Sequence, residues 1–141
     1  PFLGDSSGDT LRRAMRASRI PEERVRITNV VKCLPPANRP TGDELQNCRS
    51  WFAREMRDLA RTGSGVVLAL GRVAHTAIVR ELGLRQSDLP FAHGAVHSTA
   101  SALVLIDSYH CSQYNTSTRR LTPAMLRSVL RRAAGLAGLR Q

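Results

Sequence analysis

Val66-Val67-Leu68-Ala69-Leu70-Gly71-Arg72-Val73-Ala74-His75-Thr76-Ala77-Ile78-Val79-Arg80-Glu81-Leu82-Gly83 is the stretch that decides the fold. Its first five residues form an unbroken apolar run of strand length, the pattern of a strand buried on both faces. Gly71 turns the chain, and Val73, Ala77, Ile78 and Leu82 then recur at helical spacing until Gly83 closes the pattern. Strand, glycine turn and helix in that order predict a parallel α/β unit.

Downstream, residues 84–101 are less regular and read as loop with a short strand. Ala102 to Ile106 gives another apolar strand, followed by a long polar loop from Asp107 to Arg120. Thr122 then caps a last helix with Pro123 in its first turn, running to about Ala134 before Gly135. Upstream, Thr41 and Glu44 have capping-box spacing, and Leu45, Cys48, Phe52, Met56 and Leu59 share one helical face up to Gly63. The β-branched run Val25 to Val31 reads as a buried strand that ends at Pro35-Pro36. Residues 1–10 read as a polar loop opening a helix with Leu11, Ala14 and Met15 at core spacing. Alternating strands and helices predict an α/β fold: a short, mainly parallel sheet covered on both faces, with function in the loops at the carboxyl ends of the strands. No internal repeat is visible, so residues 1–141 are expected to form a single domain.

At 141 residues and 42% hydrophobic content the chain can bury one core. Its longest apolar runs, 66–70 and 102–106, fall far short of the roughly 20 residues that cross a bilayer. Lysine and arginine outnumber acids 21 to 11, and every base but Lys32 is arginine. The resulting net charge of +10 points to a polyanionic partner, most often nucleic acid. From Ser108 to Gln141 there are six arginines and no acid, so this end is expected to face the polyanion. The competing reading makes Arg127, Arg131 and Arg132 the wet face of the last helix. Three cysteines and no recognisable secretory signal predict a reducing cytoplasm and no disulfide scaffold.

The polar residues of the informative loops are Asp5, Asn29, His110 and the cluster Ser112, Gln113, Asn115, Thr116, Ser117 and Thr118. A carboxylate can activate water, an amide can read a heteroatom edge, and an imidazole can stabilise a departing anion. Together they suit hydrolysis of a polar substrate. Taken singly, an aspartate in a Gly–Ser loop is more often a cap, and a strand-end asparagine is often structural.

Three ordered motifs then carry a resemblance. Pro1-Phe2-Leu3-Gly4-Asp5-Ser6-Ser7-Gly8, Ile27-Thr28-Asn29-Val30-Val31-Lys32-Cys33-Leu34-Pro35-Pro36 with Cys48 downstream, and Ser108-Tyr109-His110-Cys111-Ser112-Gln113-Tyr114-Asn115-Thr116 through Arg120-Leu121-Thr122 resemble the iron–sulfur uracil-DNA glycosylases. The aspartate after Gly4 and the Tyr-His…Arg-Leu-Thr loop resemble family 5, the type B branch, rather than family 4. The likeness spans residues 1 to about 134. It implies a three-layer αβα sandwich and hydrolysis of the N-glycosidic bond of uracil, or another deaminated base, flipped out of DNA to leave an abasic site. It further implies that Phe2 and Gly4 bind the base, Asp5 positions or activates water, Asn29 contacts the base edge and His110 stabilises the leaving anion. Ser112, Asn115 and Arg120 would lie along the DNA-facing loop. Cys33 and Cys48 would be two of four thiolate ligands of a [4Fe–4S] cluster. The partner would be DNA, with no membrane and a monomeric enzyme.

The family also carries, before the segment matching Pro1, a cysteine pair, a first strand and a pocket-wall loop. The sequence begins in mid-motif without them, so a truncated form is expected, with an incomplete cluster and pocket. Cys111 is a poor substitute ligand. Gln113 stands where a base is frequent, and Arg119 where glycine is frequent, which would strain the loop if the position needs a positive φ. Two alternatives follow: a catalytically incomplete basic nucleic-acid-binding fragment, and a zinc protein using Cys33, Cys48 and a histidine such as His75.

Overall fold

The computed structural model describes residues 4–32, 37, 39–62 and 65–139. Helix α1 (Ser6–Ala17) begins at the cap Asp5 and is followed by a 3-10 turn, Glu22–Arg24. Helix α2 (Gly42–Arg61) opens on the expected capping box, in which Thr41 and Glu44 satisfy each other's backbone N–H groups. Strand β1 (Gly65–Leu70) leads through Gly71 into α3 (Arg72–Glu81), as the deciding stretch predicts. Strands β2 (Val96–Ser98) and β3 (Leu103–Ser108), the short helix α4 (Gln113–Ser117) and α5 (Pro123–Leu136) complete the order.

The sheet runs β1-β3-β2, with β1 and β3 parallel over six residue pairs and β2 antiparallel to β3 over three. Side chains alternate across β1. Leu68 and Leu70 pack into a core with Leu11, Met15, Leu126 and Leu130 of α1 and α5. Val67 and Ala69 pack into a second core with Phe52, Met56, Ile78 and Val79 of α2 and α3. Two cores on opposite faces of one sheet make the three-layer αβα arrangement, and burying a Leu or Phe side chain fully is worth about 1.5–3 kcal/mol. No helix among the described residues is long and apolar enough to cross a membrane.

Val25 to Val31 is not a strand: it is extended or bent chain without a ladder. Its apolar character reflects packing of a different kind. Val25 and Ile27 lie against the α1/α5 core and Val30 against the α2/α3 core, so the run is apolar because it threads between the two. Its polar groups are tied to Glu55 of α2, which accepts hydrogen bonds from Arg26, Thr28 and Lys32. The polar loops are also shorter than expected. Ser6 already belongs to α1, Asp107 and Ser108 are the buried end of β3, and α5 continues through Gly135 to Leu136. The Pro35-Pro36 stop lies outside the described residues.

Candidate active site and nucleic-acid interface

Because β1 and β3 are parallel and in register, with Leu70 opposite Ser108, their carboxyl ends emerge side by side. Gly71 donates its N–H to the Ser108 carbonyl at 2.8 Å and turns with φ +97°. A Cβ on Gly71 would sit 3.2 Å from the Cβ of His110, so conformation and crowding both require glycine there. His110 is held from the other side by its loop. The Asn115 side chain donates to the His110 carbonyl at 2.8 Å, and the Asn115 carbonyl accepts from Leu121 N–H at 3.0 Å. Ser112 caps α4 by accepting the Asn115 N–H. Burial holds the half-buried His110 below its ordinary pKa, and the Asp5 carboxylate opposes this only in part. Near neutral pH the imidazole is therefore uncharged.

Asp5 reaches this point from the other end of the sequence. Its extended backbone places the carboxylate over the first turn of α1, where one oxygen accepts the Gly8 N–H at 2.6 Å. The same carboxylate acts electrostatically on both His110 and Cys111. The structure thus brings Asp5 and His110 into one neighbourhood, and the cap fixes where the carboxylate stands. Gly4, before it, takes φ +74° with open space where a Cβ would be. Next to His110, the buried Cys111 donates its thiol to the Ser7 carbonyl at 3.5 Å. Burial, with Asp5 adding to it, pushes this thiol up to about 11, which keeps it protonated.

Asn29 stands on a different support. Its side chain is exposed, its carbonyl accepts from Lys32 Nζ at 2.7 Å, and Lys32 is ion-paired with Glu55. Arg120 lies over the Tyr109 ring at 4.8 Å, while the His93 ring stacks at 5.0 Å and its Nδ1 accepts the Tyr109 N–H. The exposed Arg120 is thereby propped beside His110. Arg119 does adopt a positive φ, +58°. Phe2 and Cys33 lie outside the described residues. Cys48 is buried on α2 and accepts the Lys32 N–H at 3.3 Å.

A [4Fe–4S] cluster is normally held by four thiolates. This chain has three cysteines, one of which is the Cys111 thiol engaged at Ser7. Its own residues therefore do not complete a ligand set, and of the two expected ligands Cys48 alone lies among the described residues, where its sulfur accepts the Lys32 N–H.

The sequence reading did not anticipate a buried network behind the site. Asp107 lies between two histidines, 2.7 Å from Nδ1 of His75 and 3.1 Å from Nε2 of His97. Nε2 of His75 also faces the Leu89 carbonyl at 2.8 Å. A carbonyl can only accept, so that nitrogen carries a hydrogen, while Nδ1 faces the Asp107 carboxylate. His75 is thus engaged at both nitrogens, which leaves it no free nitrogen for a zinc ion. The three donors lie within 4.8 Å of one another, yet tetrahedral zinc with bonds of about 2.0 Å spaces its ligand atoms by about 3.3 Å. The 2.7 Å separation is a hydrogen bond's. The available signals were an aspartate closing an apolar strand and a histidine on the same helical face as Ile78 and Val79.

A family model, the Uracil DNA glycosylase superfamily, matches residues 1–134. A type-5 uracil-DNA glycosylase from Thermus thermophilus is 40% identical over 99% of this chain and 68% of its own length. Proteins of the same name from Pyrobaculum aerophilum and Mycobacterium bovis are 38% and 36% identical, over 97% and 98% of this chain. The chain spans 64% and 56% of those two. A type-4 uracil-DNA glycosylase from Archaeoglobus fulgidus is 32% identical over 69% of the chain. With a family match over nearly its whole length and relatives above 35% identity, the chain belongs to the uracil-DNA glycosylase superfamily.

Proposed function

We propose that this chain, as one domain over residues 1–141, hydrolyses the N-glycosidic bond of uracil and other deaminated bases flipped out of DNA. It would act as a cytoplasmic monomer and leave an abasic site. The observation that carries the reading is the meeting of Asp5 and His110 beside the paired ends of β1 and β3.

In this reading one Asp5 oxygen stays on the Gly8 N–H and the other positions a water against C1′ of the sugar. The C1′–N bond breaks as the water oxygen bonds to C1′. The base departs as an anion and ends with the proton that the water loses. Neutral His110 donates an N–H to the developing negative charge, and a donor fixed in a partly desolvated place is worth more than one in water. Asn29 contacts the base edge, Phe2 stacks on the base, and Gly4 lets the chain pass close to it. Ser112 and Asn115 are engaged within the loop, so we assign them to its shape and Arg120 to a phosphate. Cys33 and Cys48 would supply two thiolates to a cluster, and no step depends on it.

The test compares His110→Ala with the parent in single-turnover excision at saturating DNA. Loss of one anion-stabilising donor should slow excision roughly 10²- to 10³-fold while leaving DNA affinity close to parent. Equal rates would remove His110 from the chemistry. DNA binding by the parent with no excision would favour a catalytically incomplete nucleic-acid-binding fragment.

A further inference from the structure

We propose that the outward face of α5 is a phosphate-binding groove that takes the DNA backbone at a distance from the flipped base. This deepens the glycosylase reading by adding a second contact to the same partner. Leu126, Val129, Leu130 and Ala134 turn into the core and leave the other side of the helix to solvent. There Ala124, Arg127, Ser128 and Arg131 follow one another at helical spacing and, with Arg132, line an open groove of 440 Å³. Ala124 and Ser128 are small, so the floor is low and the guanidinium groups stand as its walls.

Three features make this an anion site rather than a merely wet surface. Arg127 and Arg131 are four residues apart, a spacing at which like charges repel, and no acid occurs anywhere from Ser108 to Gln141. Two cations at this spacing present one positive face to a polyanion. Guanidinium groups match phosphate oxygens in bidentate pairs, and all three bases here are arginine. Arg132 is also fixed in place, because its Nη1 donates to the Gly94 carbonyl at 3.2 Å. Gly94 follows His93, whose ring stacks on Tyr109 beneath Arg120. The groove therefore shares a loop with the His110 end of the sheet, and one backbone can follow both.

The deciding experiment measures binding of a uracil-free duplex across a salt series, with the parent and with Arg127→Gln/Arg131→Gln. Each phosphate contact contributes about 0.9 to the slope of log K against log salt, so the double variant should be shallower by about 1.8. Its melting temperature is measured beside the slope to tell a change of fold from a change of footprint, and Arg127→Lys/Arg131→Lys should keep most of the parent slope. A slope equal to the parent's overturns the proposal. So does loss of stabilisation by inorganic phosphate with no change in the DNA slope, which would assign the groove to a free anion. If the parent itself excises nothing, the glycosylase reading fails while the slope still decides the groove.

Discussion

Replacing Asp5 by asparagine separates two tasks that one carboxylate performs. The first is structural: an oxygen of Asp5 receives the Gly8 N–H and caps α1. Asparagine caps about as well as aspartate, whereas alanine at such a position loses about 1 kcal/mol. Removing the charge at a helix N-terminus costs a further 0.3–1 kcal/mol or so. Asp5→Asn should therefore lose roughly 0.5 kcal/mol and Asp5→Ala roughly 1.5 kcal/mol, or about 2 °C and 5 °C in melting temperature for a domain of this size. The second task is chemical. Without the carboxylate, burial acts unopposed on His110, which stays neutral, so anion stabilisation survives but water activation does not. Excision by Asp5→Asn should fall roughly 10²- to 10⁴-fold with DNA affinity retained. The assays are thermal melting and single-turnover excision. An asparagine variant that melts within a few degrees of the parent and excises at its rate would refute the reasoning and leave Asp5 as a cap alone.

Gly71→Ala should lose about 1–2 kcal/mol from its φ of +97°, and should slow excision more than binding because the new Cβ pushes on His110. Melting and single-turnover rates read the two effects separately. Asp107→Leu should lose about 3 kcal/mol, since it leaves the buried His75 and the half-buried His97 without their shared partner, and chemical denaturation measures this. The pH dependence of melting should show two declines. His110 and His93 are both held below 6.5 by burial, so the unfolded chain binds protons first and stability falls as pH drops through about 6.5. Glu55 behaves differently: burial raises it, but Lys32, Thr28 and Arg26 together outweigh that and hold it below 4.5. Its contribution is present above 4.5 and lost as pH falls through the folded value, so Glu55→Gln should flatten only the lower decline.

Patterns that depend on local chemistry were legible in the chain. The capping box at Thr41, the proline at the start of α5 and the strand–Gly71–helix unit each rest on a few neighbouring residues, and each was found. The run Val25 to Val31 misled because apolar, β-branched sequence reports burial, and burial between two cores resembles burial in a sheet. Asp107 was read as the start of a loop because aspartate is rare inside a strand. Its partners, His75 and His97, are 32 and 10 residues away, and only the fold reveals that they hydrogen-bond to it. For the site, the residue types named Asp5 and His110, yet their meeting spans more than 100 residues of sequence and needed the packing of α1 beside the end of β3. Residues such as Asn115 carry the opposite lesson. An amide in a polar loop suggests a DNA contact, and only the fold adds that it braces the loop by donating to the His110 carbonyl.

The central claim is tested most directly by incubating this chain with an oligonucleotide bearing a single uracil, then treating with alkali and measuring strand cleavage at that position. The account predicts cleavage at uracil, none at thymine in the same sequence, and loss of the signal in His110→Ala. Tight binding of the uracil strand without alkali-sensitive sites would contradict it and assign Asp5 and His110 to structure alone.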